Sequence, residues 1–226
     1  MPPIVKNLLI INVLVFFAQY GLSLGAQFTP IGVWMHEYLA LWPAGVPGEI
    51  VEMLRQRGRL AGSFYPWQIV SSAFLHGGFG HLFFNMFGLW IFGMRIENVW
   101  GSERFAFFYF WCVIGASLVQ LLVTSSPFLF EIGDPRLVPT VGASGGVLGV
   151  LLAFGMMYPD EPIYLYFFVP IKAKYLVIGF AVLSVLAGVT GTAGGVAHFA
   201  HLGGMVAGFI LIQYWRGKLP FGPSRR

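Results

Sequence analysis

Long apolar segments separated by polar connections dominate the sequence and predict helices that cross a membrane. Each approaches the roughly 20 residues that a helix needs to span hydrocarbon. The segments cover residues 8–24, 69–94, 105–123, 144–157, 175–189 and 196–215. The fourth is short, which favours a helix that begins partway into the membrane below an irregular loop. The pattern therefore predicts an all-α membrane protein, a six-transmembrane-helix bundle formed as a single membrane domain by residues 1–226.

The first connection, residues 25–68, is unusually long and carries many aromatic side chains among prolines and glycines. These aromatics are Phe28, Trp34, Tyr38, Trp42, Phe64, Tyr65 and Trp67. Because Trp and Tyr favour the membrane–water interface, we predict that this loop lies there. Residues 49–59 are predicted to form a short amphipathic helix within it.

Composition supports a membrane protein and excludes several other classes. A mean hydropathy of +0.76 with only 10% charged residues is foreign to soluble domains. Cys112 is the only cysteine, so an intramolecular disulfide and a cysteine-based metal site are excluded. The basic residues flank apolar segments instead of forming runs with interleaved aromatics. The predicted surroundings are therefore a lipid bilayer and not a nucleic acid. No oligomeric state follows from the sequence.

The distribution of Lys and Arg predicts the orientation. One side of the membrane would hold Lys6, Arg95, Arg104, Lys172, Lys174, Arg216, Lys218, Arg225 and Arg226. The other side would hold Arg55, Arg57, Arg59 and Arg136. The excess of positive charge on the first side predicts a multi-pass protein with both termini in the cytoplasm.

A serine lies between small residues at the start of the fourth segment, in the sequence Gly142-Ala143-Ser144-Gly145. Burying a hydroxyl at a helix start inside a membrane contributes little to packing. The preceding residues 140–142 supply backbone whose N–H groups are not consumed by a helix. This arrangement favours a serine that must be reached by another molecule.

The sixth segment contains His198 and His201 as its only ionisable groups. Ionisable residues at bilayer depth indicate a functional site by default. A neutral imidazole can take the proton from a serine hydroxyl and pass it to a leaving amine. Residues 171–215 contain no Asp or Glu, and Glu97 lies twelve residues after Asn85, roughly 18 Å along a helix. We therefore predict a Ser–His dyad and a structural role for Glu97.

His81 and Asn85 are separated by four residues on the second segment, so their side chains share a helix face. Polar membrane residues often hold bundles together by interhelical hydrogen bonds, and this explanation fits the pair. A second explanation is a pair of hydrogen-bond donors for a developing oxyanion. The residues alone leave both explanations open.

Small residues recur at four-residue spacing on the helices that carry Ser144 and His201. The positions are Gly145, Gly149 and Ala153 on one helix and Ala200, Gly204 and Gly208 on the other. Such ridges let helix backbones approach closely. We predict that the two ridges face each other, with Ser144 and His201 beside the contact at matching depth.

Other intramembrane chemistries fit less well. His81 is followed by Leu82, and no H-E-x-x-H motif for a metalloprotease occurs. A zinc site would have to be formed by the four membrane histidines His76, His81, His198 and His201. It would lack the carboxylate neighbours that usually orient histidine ligands. An aspartyl mechanism is disfavoured because Asp134 and Asp160 lie in loops. A transporter is disfavoured because no inverted repeat relates the two halves.

The chain closely resembles the rhomboid intramembrane serine proteases of bacteria. Three signatures occur in family order, His81–Asn85, Gly142–Gly145 and 200–208. The resemblance implies Ser144 as nucleophile, His201 as base, and an oxyanion hole formed by His81, Asn85 and the Ser144 backbone N–H. It also implies single-span transmembrane protein substrates, no cofactor and no metal, and a location in the inner (plasma) membrane.

Two positions depart from the family pattern. Trp67 is followed by Gln68 where the family often has arginine, which predicts weaker anchoring of the first loop. Leu148 replaces an aromatic that usually packs on the catalytic histidine, which predicts a less tightly oriented His201. Residues 191–195 form a glycine-rich turn that we predict to be a movable cap. The competing function is a non-catalytic rhomboid-like protein that binds membrane helices, although such relatives lose the serine or the histidine.

Overall fold

The computed structural model describes residues 1–125, 138–165, 168–190 and 196–219, which fold mainly into α-helices. The helices are α1 (Pro3–Tyr20), α2 (Pro30–Leu39), α3 (Gly48–Gln56), α4 (Gln68–Ser71), α5 (Phe79–Gly88), α6 (Met94–Trp100), α7 (Ser102–Thr124), α8 (Ser144–Met157), α9 (Ala173–Thr190) and α10 (Val196–Trp215). Short 3-10 turns cover Gly21–Ser23 and Ser72–Phe74, and a π-helical turn, Leu89–Gly93, joins α5 to α6. The predicted cap at 191–195, Asp134, Arg136, Arg225 and Arg226 lie outside the described residues.

The predicted class, an all-α membrane bundle, is confirmed. Within the described ranges, three helices are long and apolar enough to cross a membrane: Pro3–Ser23, Ser102–Thr124 and Ala173–Thr190. Helix α8 is apolar but shorter, as the fourth segment predicted. Helix α10 has the bounds of the sixth segment, and its side chains pack on α7 and α8.

The second segment differs from the prediction because its helix is interrupted. The sequence pattern predicted a span over 69–94, whereas a short helix and a 3-10 turn end at Phe74 and α5 begins only at Phe79. Two consecutive glycines, Gly77 and Gly78, lie in the interruption, and glycine is a poor helix former. The helix then continues through the π-helical turn to Trp100, beyond the predicted end.

The first loop is more ordered than predicted, since it contains both α2 and α3. The amphipathic helix predicted over 49–59 is confirmed as α3, but protein covers its apolar face. Val51 and Leu54 pack against the fully buried Trp42. Trp42 in turn donates its indole N–H to the carbonyl of His36, 2.9 Å away. The loop therefore has a small core of its own.

Gln68 anchors the first loop, and the weaker anchoring relative to arginine stays a prediction. Its side chain is fully buried. Its Oε1 accepts the backbone N–H of Trp42 at 3.2 Å. Its Nε2 donates to the carbonyls of Tyr38 at 3.2 Å and Ser63 at 2.9 Å. An amide both donates and accepts, which a guanidinium cannot do, and that difference suits it to this position.

Glycines bring α8 and α10 together beside α7. A Cβ on Gly204 would collide with the carbonyl oxygen of Gly145, so the predicted facing of these two glycines is confirmed. A Cβ on Gly149 would lie 3.4 Å from the carbonyl oxygen of Gly204, so this glycine also faces α10, although Cys112 Sγ of α7 is nearer. Gly208 departs from the prediction, because the nearest atoms to a Cβ there are Cys112 Sγ and Phe108 Cζ of α7. Helix α7 therefore shares the close packing that the sequence assigned to α8 and α10 alone.

Glu97 joins α6, at the end of the second span, to the start of α1. Its carboxylate is buried and accepts the backbone N–H groups of Ile4 at 2.9 Å and Val5 at 2.8 Å. It also accepts the hydroxyl of Ser102 at 2.8 Å. Because the first N–H groups of a helix lack partners within it, this distant carboxylate satisfies the start of α1. The structural role predicted for Glu97 matches these contacts.

Replacing Glu97 with alanine should lower the free energy of unfolding by about 3 kcal/mol, because it removes charge-assisted hydrogen bonds from buried donors. Ser102→Ala removes one contact and leaves the helix cap, so it should cost only about 1 kcal/mol. Equilibrium unfolding in detergent micelles measures both. Equal stability of Glu97→Ala and the unchanged protein would show that water satisfies the start of α1.

A two-stranded hairpin was not predicted. Strands β1 (Pro162–Leu165) and β2 (Val169–Lys172) pair antiparallel between α8 and α9. The register places Ile163 opposite Ile171 and Leu165 opposite Val169. The hairpin follows the C-terminal end of α8, whereas Ser144 is the first residue of that helix. The hairpin and Ser144 therefore lie at opposite ends of α8.

Candidate active site

Ser144 is the first residue of α8, and the chain that leads to it is held in place on both sides. Thr140 and Leu41 exchange backbone hydrogen bonds of 2.9 and 3.0 Å. The N–H of Gly142 donates to the carbonyl of Ser72 at 2.9 Å. Gly142 has a φ of +126°, a conformation that favours glycine. These contacts fix the turn that presents the serine.

The structure brings Ser144 and His201 together. Ser144 Oγ lies 2.8 Å from His201 Nε2, within hydrogen-bond distance. His201 is near the start of α10, one turn before Gly204, which contacts α8 at Gly145. Both side chains are half-buried. The glycine contact between the helices therefore sets the separation of hydroxyl and imidazole.

His198 lies beside His201 and does not separate His201 from Ser144. The two rings are nearly perpendicular, with centroids 5.9 Å apart. Among the described residues, the hydrogen bond of the serine hydroxyl is to His201. A hydrogen-bonded hydroxyl and imidazole can transfer a proton to each other, and this pair has that geometry.

His81 points toward the turn that precedes Ser144. Its Nδ1 accepts the backbone N–H of Gly77 at 3.3 Å, so a neutral ring carries its proton on Nε2. A Cβ on Gly142 would lie 2.7 Å from that Nε2 and 3.7 Å from Ser144 Oγ. The absence of a side chain at Gly142 therefore lets the His81 N–H approach the serine. This geometry provides a hydrogen-bond donor next to the nucleophile candidate.

Asn85 is buried one turn after His81, but its hydrogen bond does not reach the serine. Its Nδ2 donates to the carbonyl of His81 at 3.0 Å. A side-chain amide has two N–H groups, so one donor remains for another acceptor. The i, i+4 relation predicted from the sequence is thus realised on one face of α5.

A cavity of about 130 Å³ opens beside Ser144 and continues toward α7. Its polar lining includes His81, Ser117, Gln120, Thr140, Ser144 and His201. Gln120 Nε2 donates to Thr140 Oγ1 at 2.8 Å, while its buried Oε1 has no partner among the described residues. A polar cavity of this size has room for several water molecules.

Gln120 was missed by the sequence analysis. It is a polar residue near the end of an apolar segment that contains no charged residue. Such residues in membrane helices usually face the interior of a bundle or a cavity, and this was the available signal.

The membrane histidines do not gather into a metal site. His76 and His81 form one edge-to-face pair, with ring centroids 5.1 Å and ring planes 67° apart, and His198 and His201 form another. Over the described ranges, no group of three or more His, Cys, Asp or Glu side chains could hold a metal ion. Asp160 lies in a loop, where Lys172 and Lys174 bind its carboxylate.

Comparison with known proteins identifies the family. A model of the Rhomboid domain matches residues 63–217, which include α4 through α10 and the three sequence signatures. The chain belongs to the rhomboid family. This match covers the part of the chain that contains Ser144, His201, His81 and Asn85.

Several curated proteins are similar to this rhomboid-family chain. "Rhomboid protein 1, mitochondrial" of Saccharomyces cerevisiae is 34% identical over 153 residues, which cover 65% of this chain and 41% of the relative. "RHOMBOID-like protein 12, mitochondrial" of Arabidopsis thaliana is 32% identical over 165 residues, 68% of this chain and 48% of the relative. "Presenilin-associated rhomboid-like protein, mitochondrial" of Mus musculus is 29% identical over 160 residues, 66% of this chain and 39% of the relative. The chain thus spans less than half of these relatives.

Leu148, the second departure from the family pattern, lies one turn after Ser144 on α8. It packs with Leu151, Val177 of α9 and Met205 of α10. An aliphatic residue at this position therefore joins three helices near the Ser144 end of α8. The prediction that His201 is less tightly oriented stays a prediction.

Proposed function

We propose that this chain is an intramembrane serine endopeptidase that cleaves transmembrane segments of membrane proteins, with Ser144 as nucleophile and His201 as general base. The observation that carries the proposal is the 2.8 Å separation of Ser144 Oγ and His201 Nε2 inside a bundle of apolar helices. Family membership supports the same class of chemistry.

The reaction proceeds in two halves. His201 Nε2 takes the proton of the Ser144 hydroxyl while Oγ attacks the carbonyl carbon of the scissile peptide bond. The tetrahedral intermediate collapses when the C–N bond breaks, and the imidazolium gives its proton to the leaving amine. Water then attacks the acyl-enzyme while His201 takes one of its protons. His201 returns this proton to Oγ as the ester C–O bond breaks, which releases the carboxylic acid and restores the serine. Neither half requires a metal or an organic cofactor.

The dyad works without a carboxylate partner for the imidazole. Residues 171–215 contain no Asp or Glu, so α9 and α10 supply none. Packing orients His201 instead, because Gly204, one turn later, allows α10 to contact the first turn of α8. The fixed geometry supplies the alignment that a third residue provides in many serine hydrolases.

The oxyanion is stabilised by three donors, two from α5 and one from the start of α8. His81 presents its Nε2–H, since Gly77 occupies Nδ1. Asn85 contributes the amide N–H that does not bond to the His81 carbonyl. The backbone N–H of Ser144 is the third donor, because the first N–H groups of a helix have no partner within it. These donors act on charge that develops only in the transition state.

Replacing His81 or Asn85 with alanine should lower kcat by about 10- to 10³-fold and change KM little, because the oxyanion contacts form mainly in the transition state. Steady-state cleavage of a single-span substrate in detergent measures both constants. A rise in KM with an unchanged kcat would instead assign these two residues to substrate binding.

The expected substrates are single-span membrane proteins whose helix unwinds easily near the non-cytoplasmic face. A peptide bond in a regular helix is protected, because its carbonyl is hydrogen-bonded and side chains crowd it. Gly, Ala, Ser or Pro near the cut weaken the helix. The cavity beside Ser144 has a volume of only about 130 Å³ and therefore suits a small residue before the scissile bond.

The orientation and location belong to the same proposal. Residues 1–226 form a single membrane domain of the inner (plasma) membrane, with both termini in the cytoplasm. The excess of basic residues near the α8–α9 end supports this orientation. Ser144 then lies nearer the non-cytoplasmic face, because α8 begins there and ends beside the basic loop.

The experiment uses purified protein in proteoliposomes and a single-span substrate whose helix contains Gly, Ala and Pro near the non-cytoplasmic face. Cleavage is expected there, mapped by the mass of both products. Replacing the helix-weakening residues with Leu should slow the reaction. The Ser144→Ala protein controls for contaminating proteases. Equal cleavage of a poly-Leu span near its cytoplasmic end would contradict the proposed site depth and orientation.

A further inference from the structure

The β1–β2 hairpin exposes large apolar side chains at the end of the bundle. Phe168, at its turn, is 85% exposed, and Tyr164 is 60% exposed. Val169 is also exposed, whereas Ile163 packs back against the main core. The sequence from 162 to 171 has no charged residue. Exposed aromatic surface of this kind on a small hairpin indicates a contact that the chain itself does not provide.

Ion pairs and hydrogen bonds fix the base of this hairpin to the bundle. Asp160 Oδ1 accepts Lys174 Nζ at 2.8 Å and Lys172 Nζ at 3.1 Å. These hydrogen bonds hold the pKa of Asp160 below its usual value. Glu161 pairs with Arg95 of α6 at 3.3 Å, and its carbonyl accepts the N–H of Ala173 at 2.9 Å. The hairpin therefore has a fixed point of attachment.

The position of that attachment sets the level of the hairpin relative to the membrane. Lys172 ends β2 and Ala173 begins α9, so no linker separates the hairpin from an apolar helix long enough to span. Tyr175, in the first turn of α9, is exposed, and Lys174 Nζ lies 5.4 Å from the centre of its ring. Tyrosine and lysine together at the end of a span are typical of the membrane interface.

The backbone of the hairpin limits the possible partners. Pro162 and Pro170 lack N–H groups, and Pro in a strand disfavours pairing with a further strand. The prolines therefore disfavour recruitment of a second copy or a partner protein by strand addition. The outer edges of a two-stranded sheet also leave polar groups unpaired, which excludes the hairpin from the hydrocarbon core. The region between water and hydrocarbon satisfies both conditions.

We propose that the β1–β2 hairpin is a membrane-interface anchor that places Phe168 and Tyr164 against the lipids of the leaflet where α8 ends and α9 begins. The occupant of this apolar surface is the bilayer in which the protein resides. The charges at the base are already paired with one another, so attachment depends on aromatic partition and not on anionic headgroups. The hairpin thereby holds the first turn of α9 at a fixed depth.

The test measures the depth of a spin label at Phe168→Cys in nanodiscs of phosphatidylcholine, with or without phosphatidylglycerol. The collision rate with oxygen reports exposure of the label to lipid, and the collision rate with a water-soluble nickel chelate reports its exposure to water. Lys218→Cys is the aqueous reference at the same end of the bundle, and Leu122→Cys is an exposed position on the apolar α7. Cys112 is buried, so the unchanged protein serves as the labelling blank.

The label at Phe168→Cys should favour oxygen over the nickel chelate, compared with Lys218→Cys, and phosphatidylglycerol should leave this preference unchanged. Adding Tyr164→Asp should move the label toward the aqueous reference, while circular dichroism shows the same helix content. Collision rates equal to those at Lys218→Cys would overturn the proposal. Protection from both reagents would also overturn it, because it would place a protein partner on the hairpin.

Discussion

Replacing Ser144 or His201 with alanine should abolish peptide cleavage, with kcat falling by about 10⁴- to 10⁶-fold, and the double variant should lose no more. Nucleophile and base act as one unit, so removal of either stops the transfer of the proton from Oγ. The 2.8 Å distance between Ser144 Oγ and His201 Nε2 leads to this expectation. Single-turnover cleavage of a single-span substrate measures it.

His198→Ala is the matched control for the dyad. It removes an imidazole from the same helix, three residues from His201, and should retain substantial activity. EDTA should leave cleavage by the unchanged protein intact. An inactive His198→Ala protein together with an active His201→Ala protein would reverse the assignment of the base. Cleavage by Ser144→Ala that EDTA abolishes would replace the serine mechanism with a metal-dependent one.

Replacing Gly204 with alanine should also inactivate the protein, although it changes no chemical group at the site. The added Cβ would collide with the carbonyl oxygen of Gly145, which is backbone and cannot rotate away. The start of α8 must then shift relative to α10, and Ser144 moves with it. A displacement of about 1 Å can cost 100-fold in rate, so we expect at least that loss in kcat.

Gly179→Ala is the control for this packing argument. Gly179 lies in α9, and a Cβ there meets nothing within 4 Å. Alanine favours helix over glycine by about 1 kcal/mol, so Gly179→Ala should keep its activity and gain stability. Thermal unfolding and cleavage are measured on both variants. Full activity of Gly204→Ala would show that the contact between α8 and α10 does not set the geometry of the dyad.

Much of the fold could be predicted because a bilayer leaves a strong compositional signal. Uninterrupted apolar residues identified α1, α7, α9 and α10 to within a few residues. The interruption before Phe79 was missed, although the consecutive glycines Gly77 and Gly78 were a local signal for it. The hairpin was missed because the apolar run at 162–171 gives no alternation of polar and apolar residues.

The candidate site was predictable where polar or ionisable side chains occur within apolar segments. A serine among glycines and two histidines at bilayer depth are unusual, and the structure places Ser144 beside His201. For Gln120 the only local signal was a polar residue in an apolar segment, and its contact with Thr140, twenty residues later, appears only in the folded chain. Gly77 is four residues from His81, but the ring nitrogen that its N–H meets follows only from the turn before α5. Gln68 shows the same limit, because its anchoring role follows from three backbone groups that only the folded loop assembles.

The most direct test of the proposed serine nucleophile is covalent labelling by a fluorophosphonate, which reacts with activated serines. The purified protein in detergent is treated with the probe, digested, and mapped by mass spectrometry. We predict a single adduct on Ser144, no adduct in His201→Ala, and an adduct in His198→Ala. An adduct on a different serine, or cleavage that continues when Ser144 carries the probe, would contradict the account.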